Sequence, residues 1–389
     1  MIAIEKHLRL LALKPSTHSF FAELLENFMG RGTVVRAVAK PDIIEVPVYA
    51  YGDHLQYESH RSIFAARFKY GFKPLLVAMS SEVTQPTAIS GLDYAVSPFA
   101  PTSEKHLRYN WVLNRMYGRA LMEPDGADAQ ELSAYRAKPK TKFCNYVYSN
   151  DWSPTTKTRR DFCQALSEYK RVDCAGRSLN NTDALLKLDK GEFNSALPFT
   201  DRWHRPKFQF LSDYKFTIAF ENDYARSWLT EKPLMPLAVG SVPIYWGSPD
   251  VGRFINPRSF INADDYDSFE ALVAHVKRVD NDPELYEKYR SAPPLLPSSR
   301  FYDMQREAPA FLERVAADAL RRRAAGSPDG FLNWRRYRQV GAMVYAQRQL
   351  IYANRHRHRR FEQAASALRL PAAKRLIKQA PPLRWLGLK

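Results

Sequence analysis

Apolar and polar side chains alternate from Lys215 to Phe220: Phe216, Ile218 and Phe220 against Lys215, Thr217 and Ala219. A period of two predicts a strand. The next periodic stretch has the marks of a short helix. Thr230 suits the N-cap, Glu231 suits the first turn, and Pro233 is tolerated there because first-turn N–H groups have no intrahelical acceptor. Gly240 can close that helix in the left-handed conformation. Ser241 to Trp246 then reads as a buried strand, and Gly247, Ser248 and Pro249 turn the chain. Upstream, Leu8–Leu13, Val34–Val38, Ile43–Tyr49, Pro74–Met79 and Leu92–Val96 read as strands, with Pro47 counting against the centre of the third. Ser16 to Met29 has helical periodicity, with Phe20, Phe21, Leu24, Leu25 and Phe28 on one side and Gly30 and Gly32 as stops. Lys142 to Tyr148 is a further strand, and a helix from Arg159 turns Phe162 and Leu166 inward.

Strands alternating with helices predict α/β architecture with parallel sheets. In such sheets ligands bind beyond the carboxyl ends of the strands, and a helix N-terminus there offers N–H groups to phosphate. Glu221, Asn222, Glu231 and Lys232 gather where the Lys215–Phe220 strand ends and the next helix begins. Lys232 reads either as a cation facing a diphosphate or as half of a surface Glu–Lys pair, which contributes little. In Val172–Asn181, Gly176 permits a tight turn beside a ligand, and Arg177 either presents a fork of donors to phosphate or sits on the surface.

Four separated blocks carry a family resemblance in one order: Phe220-Glu221-Asn222, Thr230-Glu231-Lys232, residues 240–247 (GSVPIYWG) and residues 256–262 (NPRSFIN). They resemble the signature of the α-1,3-fucosyltransferases, bacterial members included. The close likeness spans roughly residues 141–265, with a weaker one back to about residue 70. The resemblance implies a GT-B glycosyltransferase: two Rossmann-like domains facing a cleft, with GDP-fucose as donor. It implies that Arg177, Asn222 and Lys232 contact the donor's phosphates and that Glu231 holds ribose hydroxyls. Trp228 stands where relatives carry a Tyr, and Pro233 where a branched apolar residue is usual. A Glu shortly before an Asp-Tyr-Ala strand is the family's proposed base, which here is Glu82 ahead of Asp93-Tyr94-Ala95. Inverting transfer needs such a carboxylate to take the acceptor's proton. Glu82 as an ordinary loop carboxylate and Asp93 as a competing base remain open.

The chain's 389 residues accommodate two domains, expected at 1–140 (acceptor side) and 141–320 (GDP-fucose side), joined by a polar, proline-containing linker at Arg136–Lys140. Hydrophobic content of 45% excludes a disordered chain. Three cysteines, Cys144, Cys163 and Cys174, form no metal-ligand spacing and suggest reduced, core-packed thiols of a cytoplasmic protein. No apolar run is long enough to span a bilayer, and the N-terminus has no basic-then-apolar leader. The acidic pairs Asp264/Asp265 and Asp280/Asp282 read as helix starts near Ser268 and Pro283. A divalent metal is therefore not required, and no tightly bound cofactor is expected.

Charge is concentrated at one end. Residues 321–389 hold 17 Lys and Arg against Asp329 and Glu362, so they carry +15 of the chain's +17. Leu368, Leu370, Leu376 and Ile377 among Arg369, Lys374, Arg375 and Lys378, with Trp385 beyond, predict a basic amphipathic tail. Such a tail suits an anionic membrane surface on the inner face. A solvated helical extension and a nucleic-acid contact are the alternatives, the last without a motif beside it. Equal sedimentation of the full chain and of residues 1–320 with anionic vesicles eliminates the anchor. Two other functions stay open: a GT-B transferase using another nucleotide sugar, and a basic nucleic-acid-binding protein. The acceptor is expected to be a glycan, with GlcNAc of an N-acetyllactosamine-type sugar as the implied site.

Overall fold

The structure is a computed structural model describing residues 8–12, 19–36, 40–46, 62–71, 73–80, 91–101, 103–149, 156–189 and 201–325. Glu82 and nearly all of the basic tail lie outside the described residues.

Two parallel sheets carry the described residues. The first holds β1 (Leu8–Ala12), β2 (Val34–Arg36), β3 (Ile43–Val46), β4 (Leu75–Met79), β5 (Tyr94–Ser97) and β6 (His106–Arg108) in the order β2-β1-β3-β4-β5-β6. The second holds β7 (Lys142–Tyr146), β8 (Val172–Cys174), β9 (Tyr214–Phe220), β10 (Val242–Trp246) and β11 (Ile261–Asn262) in the order β11-β10-β9-β7-β8. Both sheets place the second strand of each unit outside the first and run the rest the other way. Each therefore has a switch point flanking its first strand, the position where open α/β sheets bind ligands.

Parallel strands are covered on both faces, which is why β3 and β4 are buried at every residue. On one side of the first sheet, helix α2 (62–70) sets Ile63 and Ala66 against Ile44, Val46 and Leu76. On the other, α1 (Phe20–Met29) buries Phe21, Leu24 and Leu25 with Leu8, Leu10 and Leu75. Ser19 caps α1, its hydroxyl accepting from Ala22 N at 3.0 Å. Two helices that the sequence pattern left unassigned follow β6: α3 (Met116–Met122) and α4 (Ala127–Ala137).

In the second unit, α5 (Thr156–Tyr169) and α9 (Phe269–Asn281) cover one face of the sheet through Phe162, Leu166, Leu272 and Val276. Helices α6 (Ala184–Asp189), α7 (Asp201–Leu211) and α8 (Glu231–Val239) pack elsewhere, in the apolar cluster that also contains α1 and α3. One core thus runs continuously from the first unit into the second. As the sequence suggests, Ser268 caps α9, accepting from Ala271 N at 3.2 Å, and Asp282 caps α10 (Pro283–Ser291), with Pro283 in its first turn.

The Arg136–Lys140 segment departs from a free linker. Its cations close the C-terminus of α8: Arg136 donates to Leu237 O at 2.8 Å, and Lys140 Nζ to Val239 O at 2.8 Å, Ser212 O at 2.9 Å and Tyr135 O at 2.9 Å. Finally α11 (Arg300–Ala325) returns to the first sheet. There Arg322 pairs with Asp93 at 3.2 Å, Arg323 with Asp42, and Asp318 accepts from the Tyr94 hydroxyl at 3.3 Å.

His106 is expected to make the fold acid-sensitive. It is 4% exposed and lies 2.7 Å from Ser97 Oγ through Nε2, and burial, then Arg108, pushes its pKa down to about 4. A group depressed in the folded state contributes stability above its unfolded pKa of about 6.5 and loses it as pH falls toward the folded value. Between those limits the loss approaches about 3 kcal/mol. Urea unfolding of His106→Gln should show a flatter stability profile between pH 6.5 and 4 than wild type, and an unchanged slope rejects the assignment.

Candidate nucleotide-binding site

The second sheet's switch point lies between β7 and β9. Beyond their carboxyl ends stand Tyr148, Glu221 and Asn222, and α8 begins close by at Glu231. Thr230 is the α8 N-cap, and Gly240 ends the helix at φ 76°, both as the sequence predicts.

Glu221 is the buried pivot of this corner. It has no exposed surface and accepts from Thr230 N at 2.7 Å and Thr230 Oγ1 at 2.6 Å. Lys232 Nζ lies 3.4 Å from the same carboxylate, 3.5 Å from Glu231 Oε1, and donates to Thr230 Oγ1 at 3.0 Å. Burial pushes the Glu221 carboxyl up, with Lys232 opposing. For Glu231, burial acts upward too, but Lys232 and Lys207 outweigh it and hold the carboxyl at about 2. The bland alternative of an exposed Glu–Lys pair is thereby set aside, because the Lys232 side chain is only 12% exposed and serves a fully buried acid. Gly247 is required here: a Cβ would come 2.4 Å from Glu221 Cγ, and its φ of 153° suits few other residues.

Asn222 accepts at Oδ1 from Arg159 Nη1, 2.7 Å away. Arg159, on α5, is 1% exposed and stacks on the Tyr148 ring at 4.3 Å. Tyr148 in turn donates to Ile218 O and Phe220 O (3.0 and 2.9 Å) and accepts at its carbonyl from Ser178 N at 2.9 Å. It therefore binds the end of β9 to the turn after β8. That turn presses so closely that a Cβ on Gly176 would meet Tyr148 O at 2.0 Å. Arg177, next to it, is exposed and makes no hydrogen bond or ion pair with the described residues, leaving its donor fork open to solvent at this edge of the sheet.

Trp228 departs from the expected donor contact. It is 0% exposed, so no ligand atom reaches its ring in this conformation. The loop is held from behind. Ser227, at φ 64°, sits in a region costly for a residue with a Cβ. Asp250 accepts from Ser227 N at 2.6 Å, Ser227 Oγ at 2.9 Å and Ser248 Oγ at 2.8 Å, which fixes that turn. Asn110, from the first unit, donates to Leu229 O at 2.8 Å. Arg226, on the same loop, is largely exposed and stands 3.9 Å from Asp250.

Tyr148, Arg159, Asp250 and Asn110 were not singled out from the sequence. A Tyr closing the expected Lys142–Tyr148 strand, which the structure ends at Tyr146, and an Arg on the inward stripe of a helix were the available signals, and neither differs from ordinary packing without the partner in view. Asp93, the rival base, is committed elsewhere: it accepts from Arg67 at 2.6 Å and from Leu76 N at 2.8 Å. Among the described residues no group of three or more His, Cys, Asp or Glu converges as a metal site, and no helix is long and apolar enough to cross a membrane.

Residues 137–292, the stretch holding this corner, match the family description "Glycosyltransferase family 10 (fucosyltransferase) C-term". A putative fucosyltransferase of Acanthamoeba polyphaga mimivirus is 32% identical over 156 residues, 40% of this chain and 24% of that protein. The alpha-(1,3)-fucosyltransferase FucT of Helicobacter pylori is 31% identical over 147 residues, 38% of this chain and 26% of that protein. The chain thus spans about a quarter of the length of these relatives. A solved α1,3-fucosyltransferase with GDP-fucose shares the fold at TM-score 0.56 and 19% identity, covering 79% of this chain and 90% of that one. Residues 137–292, which hold the second sheet, are thus similar to the C-terminal domain of the family 10 fucosyltransferases, and the two-sheet chain shares the GT-B fold.

Proposed function

We propose that this protein is an inverting fucosyltransferase that moves L-fucose from GDP-β-L-fucose to a hydroxyl of an acceptor glycan. The observation that carries the reading is Lys232, anchored by Thr230 and Glu221 at the first turn of α8, beside the switch point of the second sheet. A fixed ammonium at a helix N-terminus is suited to a diphosphate. Asn222, positioned by Arg159, and the open guanidinium of Arg177 lie along the same carboxyl edge. Glu231, ionised well below neutral pH, is suited to accept hydrogen bonds from ribose hydroxyls.

In the single displacement, the acceptor oxygen attacks the anomeric carbon as the bond to the β-phosphate oxygen breaks. Glu82 takes the acceptor's proton, GDP leaves with the electron pair, and inversion produces an α-L-fucoside. Lys232 and Arg177 stabilise the charge that develops on the departing diphosphate. An α-1,3 linkage to GlcNAc follows from the family likeness. The basic tail would hold the enzyme against anionic lipid.

Thermal unfolding with GDP, UDP and CMP tests the donor, followed by an assay of GDP-fucose transfer to N-acetyllactosamine. GDP should raise the midpoint most. Stabilisation by UDP alone overturns the donor assignment, and transfer to other sugars but not to N-acetyllactosamine overturns the acceptor.

A further inference from the structure

A second lysine faces the same corner. Lys207 lies on α7, whose Phe208, Phe210 and Leu211 are buried in the core. Its half-buried side chain lines a small cleft together with Lys232, Val147, Tyr148, Thr217 and Ile218. Those residues are the end of β7, the body of β9 and the first turn of α8, so the cleft runs under the switch point.

The two lysines differ in their partners. Lys232 has Thr230, Glu221 and Glu231 within 3.5 Å. Lys207 makes no hydrogen bond and no ion pair with the described residues, although Glu231 and Lys232 are close enough to act on its charge. Burial pushes its ammonium down from the usual lysine range, Glu231 opposes that, and Lys232 adds to it. A half-buried cation beside another cation, without a contacting oxygen among the described residues, keeps its N–H donors available. Lys232 contacts both Glu221 and Glu231, and Glu231 balances Lys207 only from a distance, so the contacting oxygen that Lys207 lacks is open to an anion from outside. A diphosphate has more than one negative charge and several acceptor oxygens, enough to engage a further ammonium beside Lys232 and Arg177.

We propose that Lys207 is a second phosphate-binding residue of the donor site, taking the diphosphate together with Lys232. This rests on the reading that the corner binds a nucleoside diphosphate. Lys207 would act on the part of the donor that carries the leaving charge, and not on the base or the ribose.

Calorimetric titration of the full chain with GDP and with guanosine, at two salt concentrations, tests this. Lys207→Gln should weaken GDP binding about tenfold, reduce its salt dependence and leave guanosine binding within twofold. Lys207→Arg should restore most of the GDP affinity. If the Gln variant does not fold, Lys207→Met, which keeps the aliphatic stem, takes its place. GDP affinity within twofold of wild type in the neutral variant overturns the proposal. Equal weakening of GDP and guanosine also overturns it, since that is the mark of a structural role. If the wild-type chain binds no GDP, the donor reading itself fails and this inference goes with it.

Discussion

Replacing Lys232 by Ala is expected to weaken GDP binding by about two to three orders of magnitude, and transfer by at least as much. Two losses combine. The first is the ammonium that meets the diphosphate in the ground state and the growing charge on GDP as the sugar departs. The second lies beneath it. Glu221 has no exposed surface, and Lys232 is the cation paired with it at 3.4 Å. Without that cation a buried carboxylate remains, and removing one partner of a buried pair costs about 3–5 kcal/mol unless the acid takes up a proton. Burial already pushes this acid upward, so protonation is the cheaper outcome. Lys232→Ala should accordingly lose stability as pH rises, because a protonated Glu221 favours the fold and an ionised, unpaired one does not. Adding Glu221→Gln to Lys232→Ala should recover part of the melting temperature and none of the GDP affinity. Recovery of both would assign Lys232 to the fold alone.

Glu82→Gln should lower fucosyl transfer by about 10²–10⁴-fold while leaving GDP affinity unchanged. The amide keeps the size of the side chain and removes its ability to take a proton from the acceptor hydroxyl. β4 ends at Met79 at the carboxyl edge of the first sheet, three residues before this position. The nearest rival, Asp93, is held by Arg67 and by Leu76 N, so its oxygens already serve the fold. Single-turnover transfer measured beside GDP titration separates the two effects. Wild-type turnover in Glu82→Gln excludes it as the base, and a parallel loss of GDP binding assigns it to the donor site.

The extent of what could be read in advance differs between the two units. Around β9 and α8 the expected strand, cap, first-turn proline, left-handed glycine and following strand all correspond to the structure. Those features are local: a cap needs a hydroxyl two or three residues from an N–H, as Thr230 is two from Lys232 N, and a terminating glycine needs its own φ. The first unit was harder to read. The expected strand from Leu92 is Tyr94–Ser97 in the structure, and α2, α3, α4 and β6 were not assigned. Their apolar residues face a shared core, as Met116 and Tyr117 do, and α4 has a single fully buried side chain, Leu132, so the periodic signal is weak.

The chain's order of residues was enough to suggest Arg177, Asn222, Glu231 and Lys232 as one chemical group, because each lies just past a strand or at a helix start, and Asn222, Glu231 and Lys232 fall within short blocks with a family likeness. It was not enough to show that Arg159 orients Asn222, that Asp250 pins Ser227, that Trp228 points into the core, or that Lys207 shares a cleft with Lys232. These are contacts between segments 20 to 60 residues apart in sequence or further, and a residue's pattern of neighbours along the chain contains no information about which side chain reaches it across a packed sheet. Burial completes the distinction: Lys232, which the sequence could have paired with Glu231 on the surface, is only 12% exposed and lies 3.4 Å from Glu221, an acid with no exposed side chain.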